Sequence, residues 1–149
     1  RSDNPAILRP FMAATPFQIA KTDEAQRLVF GFANVSIAKD GEQVVDLQGD
    51  LIDPAELEHA AYDFVLKFRD TGEMHDKGEV KGSVGKLVES MVFTPEKLAC
   101  LGLAKDAIPA RWWVGFQLEP AAFAKVKDGT YRMFSIQGRA DRVEVDEAA

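Results

Sequence analysis

"DPAELEHAAYDFVLKFR", residues 53–69, is the stretch in which the chain changes period. Asp53 suits a helix N-cap, Pro54 the first helical position and Glu56 the first turn. Leu57, Ala60, Ala61, Phe64 and Phe68 then return at helical spacing, which predicts an α-helix with one apolar stripe. The segments on either side read mainly as strands and turns. A helix set among strands predicts the α+β class, mainly β, with a six- to seven-stranded core and a few helices outside it.

Upstream, "RLVFGFANVSIA" (27–38) and "QVVDLQGDLI" (43–52) read as strands joined by the hairpin signal "KDGE" (39–42). Residues 1–26 lack clear periodicity and are expected to form an arm or a loose edge segment. Downstream, "DTGEMHDKGEVKG" (70–82) is a polar loop with three glycines, and "SVGKLVESMVF" (83–93) is a strand. Thr94 and Pro95 open a short helix through about Leu101, "RWWVGFQL" (111–118) is a strand, and Pro120 to Asp128 is a helix stopped by Gly129. "TYRMFSIQGRADRVEV" (130–145) supplies the last one or two strands. No repeat or linker interrupts the 149 residues, so a single domain is expected over 1–149.

Charge and composition exclude several classes. A net charge of −6 without a basic cluster argues against nucleic acid, since "KVK" (125–127) is too short to make a phosphate-binding face. No apolar run reaches bilayer length and no secretory signal is visible, so the expectation is a soluble cytosolic protein without a membrane partner. The single cysteine, Cys100, excludes an internal disulfide and fits a reducing compartment. Its apolar surroundings in "KLACLGL" predict a buried, inert thiol. Asp40, Asp46, Asp50 and Asp53 follow no metal-loop pattern, and neither zinc spacing nor a phosphate loop occurs, so no metal and no cofactor are expected.

The residues with chemical potential are few. His59 lies on the helix side opposite Leu57, Ala61 and Phe64, with Asp63 one turn away, which reads as a solvated surface histidine. His75 sits in the glycine-rich loop, where catalytic groups concentrate but idle exposed histidines also occur. Strand alternation puts Glu89 on one face with Gly85, Leu87, Met91 and Phe93. A carboxylate there must reach water, pair with Arg139 or Arg142, or orient His75. Ser135, in "MFSIQG", either faces water or supplies a nucleophilic oxygen. Trp112 and Trp113 point to opposite faces of one strand, one toward the core and the other toward a peptide groove or a covering helix.

"VFGFANVS", "VVDLQGDLIDPAELEHAAYDFVLKFR", "GEMHDKGEVKGSVGKLVESMVFTPEK", "WWVGFQL" and "YRMFSIQGRA" follow one another over roughly residues 28 to 140. In that order they resemble the XkdF-like phage serine proteases, related to the prohead maturation proteases of tailed phages and more distantly to the herpesvirus assemblins. The resemblance implies a compact β-barrel flanked by helices and a Ser–His pair. Carried over by position, it implies Ser135 as nucleophile and His75 as its base. Assemblins use a second histidine as third member, but His59 is placed poorly for that, so Glu89 takes the role, with Asp141 behind it. Gly138 and Arg139 are the implied oxyanion donors, in a chain that has Gln137 where many relatives have glycine.

The implied substrates are phage scaffold or capsid precursor polypeptides, or the protease's own flanks, cut inside an assembling procapsid in the bacterial host cytoplasm. Self-association into a homo-oligomer is also implied. The rival readings are a non-catalytic phage assembly module and a carboxylate-dependent hydrolase built on Glu89.

Overall fold

A computed structural model describes residues 18–35, 51–72, 82–108 and 110–134. They form a mostly β structure with five strands and three helices. The strands are β1 (Ile19–Asp23), β2 (Leu28–Val35), β3 (Asp70–Thr71), β4 (Gly85–Phe93) and β5 (Arg111–Leu118). They make one antiparallel sheet in the order β1-β2-β5-β4-β3. Among the described residues this sheet is not closed: β1 and β3 are its edges. The expected barrel is therefore not formed by these residues alone.

α1 (Pro54–Lys67) begins as its sequence dictates. Asp53 is extended and its carboxylate accepts from the Ala55 N–H at 2.8 Å. Leu57 and Ala61 are buried and Phe64 packs edge-on against Trp112 and Phe116. Ala60 and Phe68, expected in the same stripe, are exposed, because the apolar face narrows to one residue per turn as α1 crosses the sheet. α2 (Pro95–Cys100) is capped by Thr94, and α3 (Pro120–Lys127) sends Ala122 and Phe123 into the same core. Gly129, at φ +82°, ends α3 in a conformation that side-chain-bearing residues avoid.

The core lies on one face of the sheet. Trp112, Val114, Phe116 and Leu118 alternate along β5 toward α1 and α3, with Val29 and Val92 beside them. Central strands contribute most of it, which is why "RWWVGFQL" appears where its pattern predicts.

Two elements depart from expectation. Part of the anticipated N-terminal arm is β1, which pairs with β2 through a turn in which Asp23 accepts from the Gln26 N–H at 3.0 Å. The first two residues of the anticipated polar loop form β3, held to β4 by the pairing of Asp70 with Lys86. Both strands are short, polar and at edges, so neither carries an apolar alternation to read. The hairpin turn 39–42 and most of the 43–52 strand lie outside the described residues, as do residues 135–145 of the last segment. Its start is visible: the Ile19 N–H donates to the Arg132 carbonyl at 2.9 Å, and Met133 bridges to Gln18.

Candidate active site

His75, Ser135, Gly138, Arg139, Asp141 and Arg142 lie outside the described residues. Glu89 and the two segments that lead to the serine and the histidine are inside them. Phe134, which precedes Ser135, sets its ring 5.9 Å from that of Phe116 and partly fills the core. It also covers Gly31, where a Cβ would meet the Phe134 ring at 2.9 Å and the Gln18 carbonyl oxygen at 2.7 Å. That contact anchors the backbone one residue before the candidate nucleophile. On the histidine side, β3 and β4 form the two ends of the segment holding His75, joined by the Val84 N–H to the Thr71 carbonyl at 2.9 Å.

The position of Glu89 follows from a β-bulge. Leu87 pairs with Phe116 and Glu89 pairs with Gly115, so Val88 is an extra residue in β4. The insertion reverses the alternation. Gly85 and Leu87 share the core side with Ser90 and Val92, while Glu89 and Met91 turn to the opposite face. Glu89 therefore does not share a face with Gly85 and Leu87 as simple alternation predicts. It is exposed, and its Oε2 accepts from the Trp113 indole Nε1 at 3.2 Å. Of the expected resolutions for this carboxylate, access to water is the one the described residues display.

The two tryptophans divide as expected. Trp112 is buried in the core, with its indole N–H donating to Ser90 Oγ at 2.9 Å. Trp113 lies on the outer face, stacked beside Phe30 at 6.4 Å between centroids and edge-on to Phe32 at 5.2 Å. Arg111 extends over Phe32, its guanidinium carbon 5.2 Å from the ring centre. Phe30, Phe32 and Trp113 thus form an aromatic patch on the face away from the helices, next to Glu89 and Met91. Its signal in the sequence is the alternation of Phe30 with Phe32 opposite Trp113 and Gly115.

The remaining candidates resolve simply. His59 is exposed, and Asp63 bonds to Lys67 at 2.6 Å. Cys100 is exposed rather than buried: it ends α2 on the side away from Leu98, whose side chain takes the core position. Among the described residues no group of acidic, histidine or cysteine side chains could hold a metal ion. No described helix is long and apolar enough to cross a membrane.

One polar cluster is not evident from sequence. Lys97, on α2, reaches the Glu58 carboxylate of α1 at 2.5 Å and the Val92 carbonyl of β4 at 3.0 Å. Tyr62 donates to the same Glu58 oxygen at 2.6 Å. These hydrogen bonds, that from Lys97 foremost, hold the Glu58 carboxyl below its ordinary range. Burial opposes the charge on Lys97, but its bonds to Glu58 and Tyr62 outweigh that and raise its pKa. The cluster fastens both helices to β4.

In comparisons with known proteins, the chain is 28% identical over 129 residues to "Uncharacterized protein YqbD" of Bacillus subtilis (strain 168). The aligned part covers 87% of this chain and 36% of that relative, so the chain spans about a third of the relative's length. No solved structure matches it. A family profile described as "Putative phage serine protease XkdF" matches residues 17–144, a span that contains both "GEMHD" and "MFSIQG". The chain belongs to the XkdF family that this profile describes.

Proposed function

We propose that this chain is a phage head-maturation serine endopeptidase. The observation that carries the reading is the family match over residues 17–144, which includes His75 of "GEMHD" and the serine of "MFSIQG". Ser135 attacks the peptide carbonyl carbon while His75 takes the hydroxyl proton. The backbone N–H groups of Gly138 and Arg139 stabilise the oxyanion. His75 returns the proton to the leaving amine, and water then releases the acyl group from Ser135 by the same steps.

Glu89 is the proposed acid behind His75. Its Oε2 is engaged by Trp113, and among the described residues its Oε1 has no hydrogen-bond donor, so an imidazole N–H is a suitable partner. The substrates in this reading are scaffold or capsid precursor chains, together with the protein's own flanking segments, inside an assembling procapsid in the host cytoplasm. Self-association and closure of the open sheet into a barrel belong to the same proposal.

The test is cleavage of a co-expressed scaffold or capsid precursor, or of the chain's own flanks, by the wild type, Ser135→Ala and His75→Ala. Loss of cleavage in both variants, with thermal unfolding unchanged, is the expected result. Equal processing by all three removes the peptidase reading and leaves the non-catalytic assembly module. Cleavage that survives Ser135→Ala and is lost in Glu89→Gln supports the carboxylate-dependent hydrolase instead.

A further inference from the structure

We infer that the outer face of β5 and β4 is a docking surface for an extended polypeptide segment carrying an acidic residue and, two positions away, a large apolar residue. The acidic residue pairs with Arg111, and the apolar one lies over Trp113 and Met91. This inference is independent of the peptidase reading, because it concerns what the face binds and not whether that segment is cut.

Arg111 is a cation without a paired anion among the described residues. It is half-buried at the start of β5, and its Nε is enclosed without a hydrogen-bond acceptor. No described carboxylate pairs with it, and its guanidinium lies over the Phe32 ring. Arg27 shows the ordinary alternative, with its Nε donating to the Leu118 carbonyl at 3.0 Å. A guanidinium in a partly desolvated site is a ready partner for a carboxylate, which meets its two terminal Nη groups end-on through two parallel hydrogen bonds while Nε stays enclosed. Burial already works against its charge, so an incoming anion gains more there than at an open surface lysine.

The neighbouring surface specifies the rest of the ligand. Trp113 is two residues from Arg111 on the same face, a separation of about 7 Å in a strand, which is the i to i+2 repeat of an extended chain. Met91, directly opposite Trp113, is exposed, as is Val88 in the bulge, and both line a shallow groove with Trp113 and Glu89. An apolar side chain seated there covers surface that is now wet. Two residues further along the face stands Glu89, opposite Gly115. Its negative charge disfavours an acid at i+4 and any continuous polyanion, so the pattern excludes nucleic acid and selects a peptide with one acid at the Arg111 end.

The probe is the heptapeptide Gly-Asp-Thr-Leu-Thr-Gly-Gly, acetylated and amidated, titrated calorimetrically into the 149-residue chain. Saturable binding is expected, weakened about tenfold by Asp→Asn in the peptide and by Arg111→Gln in the protein. The two changes combined are expected to cost no more than either alone, as for a direct pair. Replacing the sixth residue of the peptide, at i+4 from the acid, by Glu is expected to weaken binding. If Arg111→Gln does not fold, the peptide series on the wild type still decides the matter. Absence of saturable binding, equal affinity for the Asp and Asn peptides, or tighter binding of a single-stranded oligonucleotide overturns the inference.

Discussion

Trp113 donates its indole N–H to Glu89 at 3.2 Å across the β4–β5 ladder and ties that carboxylate to the outer face. The tie narrows the directions from which a second donor can approach Glu89. If that donor is His75, Glu89→Gln keeps the shape and removes the charge that favours the imidazolium. The expected effect is a fall in kcat of about 10⁴-fold with KM little changed, the scale seen when a catalytic histidine loses its carboxylate. Asp141→Asn is expected to remain active. The reverse pattern in a steady-state peptide cleavage assay assigns the role to Asp141.

On the opposite face, Trp112 depends on Ser90. The indole N–H is within the core and donates to Ser90 Oγ at 2.9 Å, a pairing between neighbouring strands. Ser90→Ala leaves a buried donor without its acceptor, which costs about 1–3 kcal/mol. Trp113→Phe, on the outer face, removes a solvent-exposed bond and is expected to cost well under half as much. Urea unfolding of the two variants measures the difference.

How much of this was legible in the sequence depends on which residues face the core. α1, β4, β5 and α3 follow from helical or alternating apolar spacing and from Asp53, Pro54 and Gly129 at their ends. β1 and β3 did not, because edge strands with lysine and aspartate carry no buried alternation. The orientation of Glu89 was misread for a different reason. A period of two cannot reveal that Val88 is an extra residue, and one insertion turns every later side chain to the other face. Cys100 was misplaced because apolar neighbours in the sequence say nothing about which side of a short helix meets the core, and Leu98 meets it. The Lys97–Glu58 pair joins residues far apart in the chain and has no local signature.

Gly31 links the fold to the candidate nucleophile. A Cβ added there meets both the Phe134 ring and the Gln18 carbonyl inside 3 Å. The ring could swing aside, but the carbonyl belongs to backbone paired at the sheet edge. Gly31→Ala is therefore expected to destabilise the protein by about 1–3 kcal/mol. It should also lower cleavage by more than the folded fraction accounts for, because Phe134 adjoins Ser135. Activity per folded molecule, with the folded fraction taken from near-ultraviolet circular dichroism, separates these effects. An unchanged value means that Phe134 does not position the serine.

The Glu58–Lys97 pair makes stability depend on pH at the acid end. The carboxyl of Glu58 is held below its ordinary 4.5, so the stabilisation it contributes is complete above that value. It is lost as pH falls through the lowered folded-state value. Lys97 behaves in the opposite sense: its contribution is complete below 10.5 and is lost as pH rises through the raised value. Both are intact at neutral pH. Glu58→Gln is expected to cost about 1 kcal/mol at neutral pH, a modest figure because the two side chains remain 27% and 29% exposed. The variant should lose less than the wild type between neutral pH and about pH 3, because it has no carboxylate here to protonate. Asp63 and Asp70 are also held below their ordinary range, by Lys67 and Lys86, and they titrate in both proteins. The difference between the two urea-derived stability curves therefore isolates Glu58, and parallel curves down to the acid end would mean that Lys97 does not hold the carboxylate in solution.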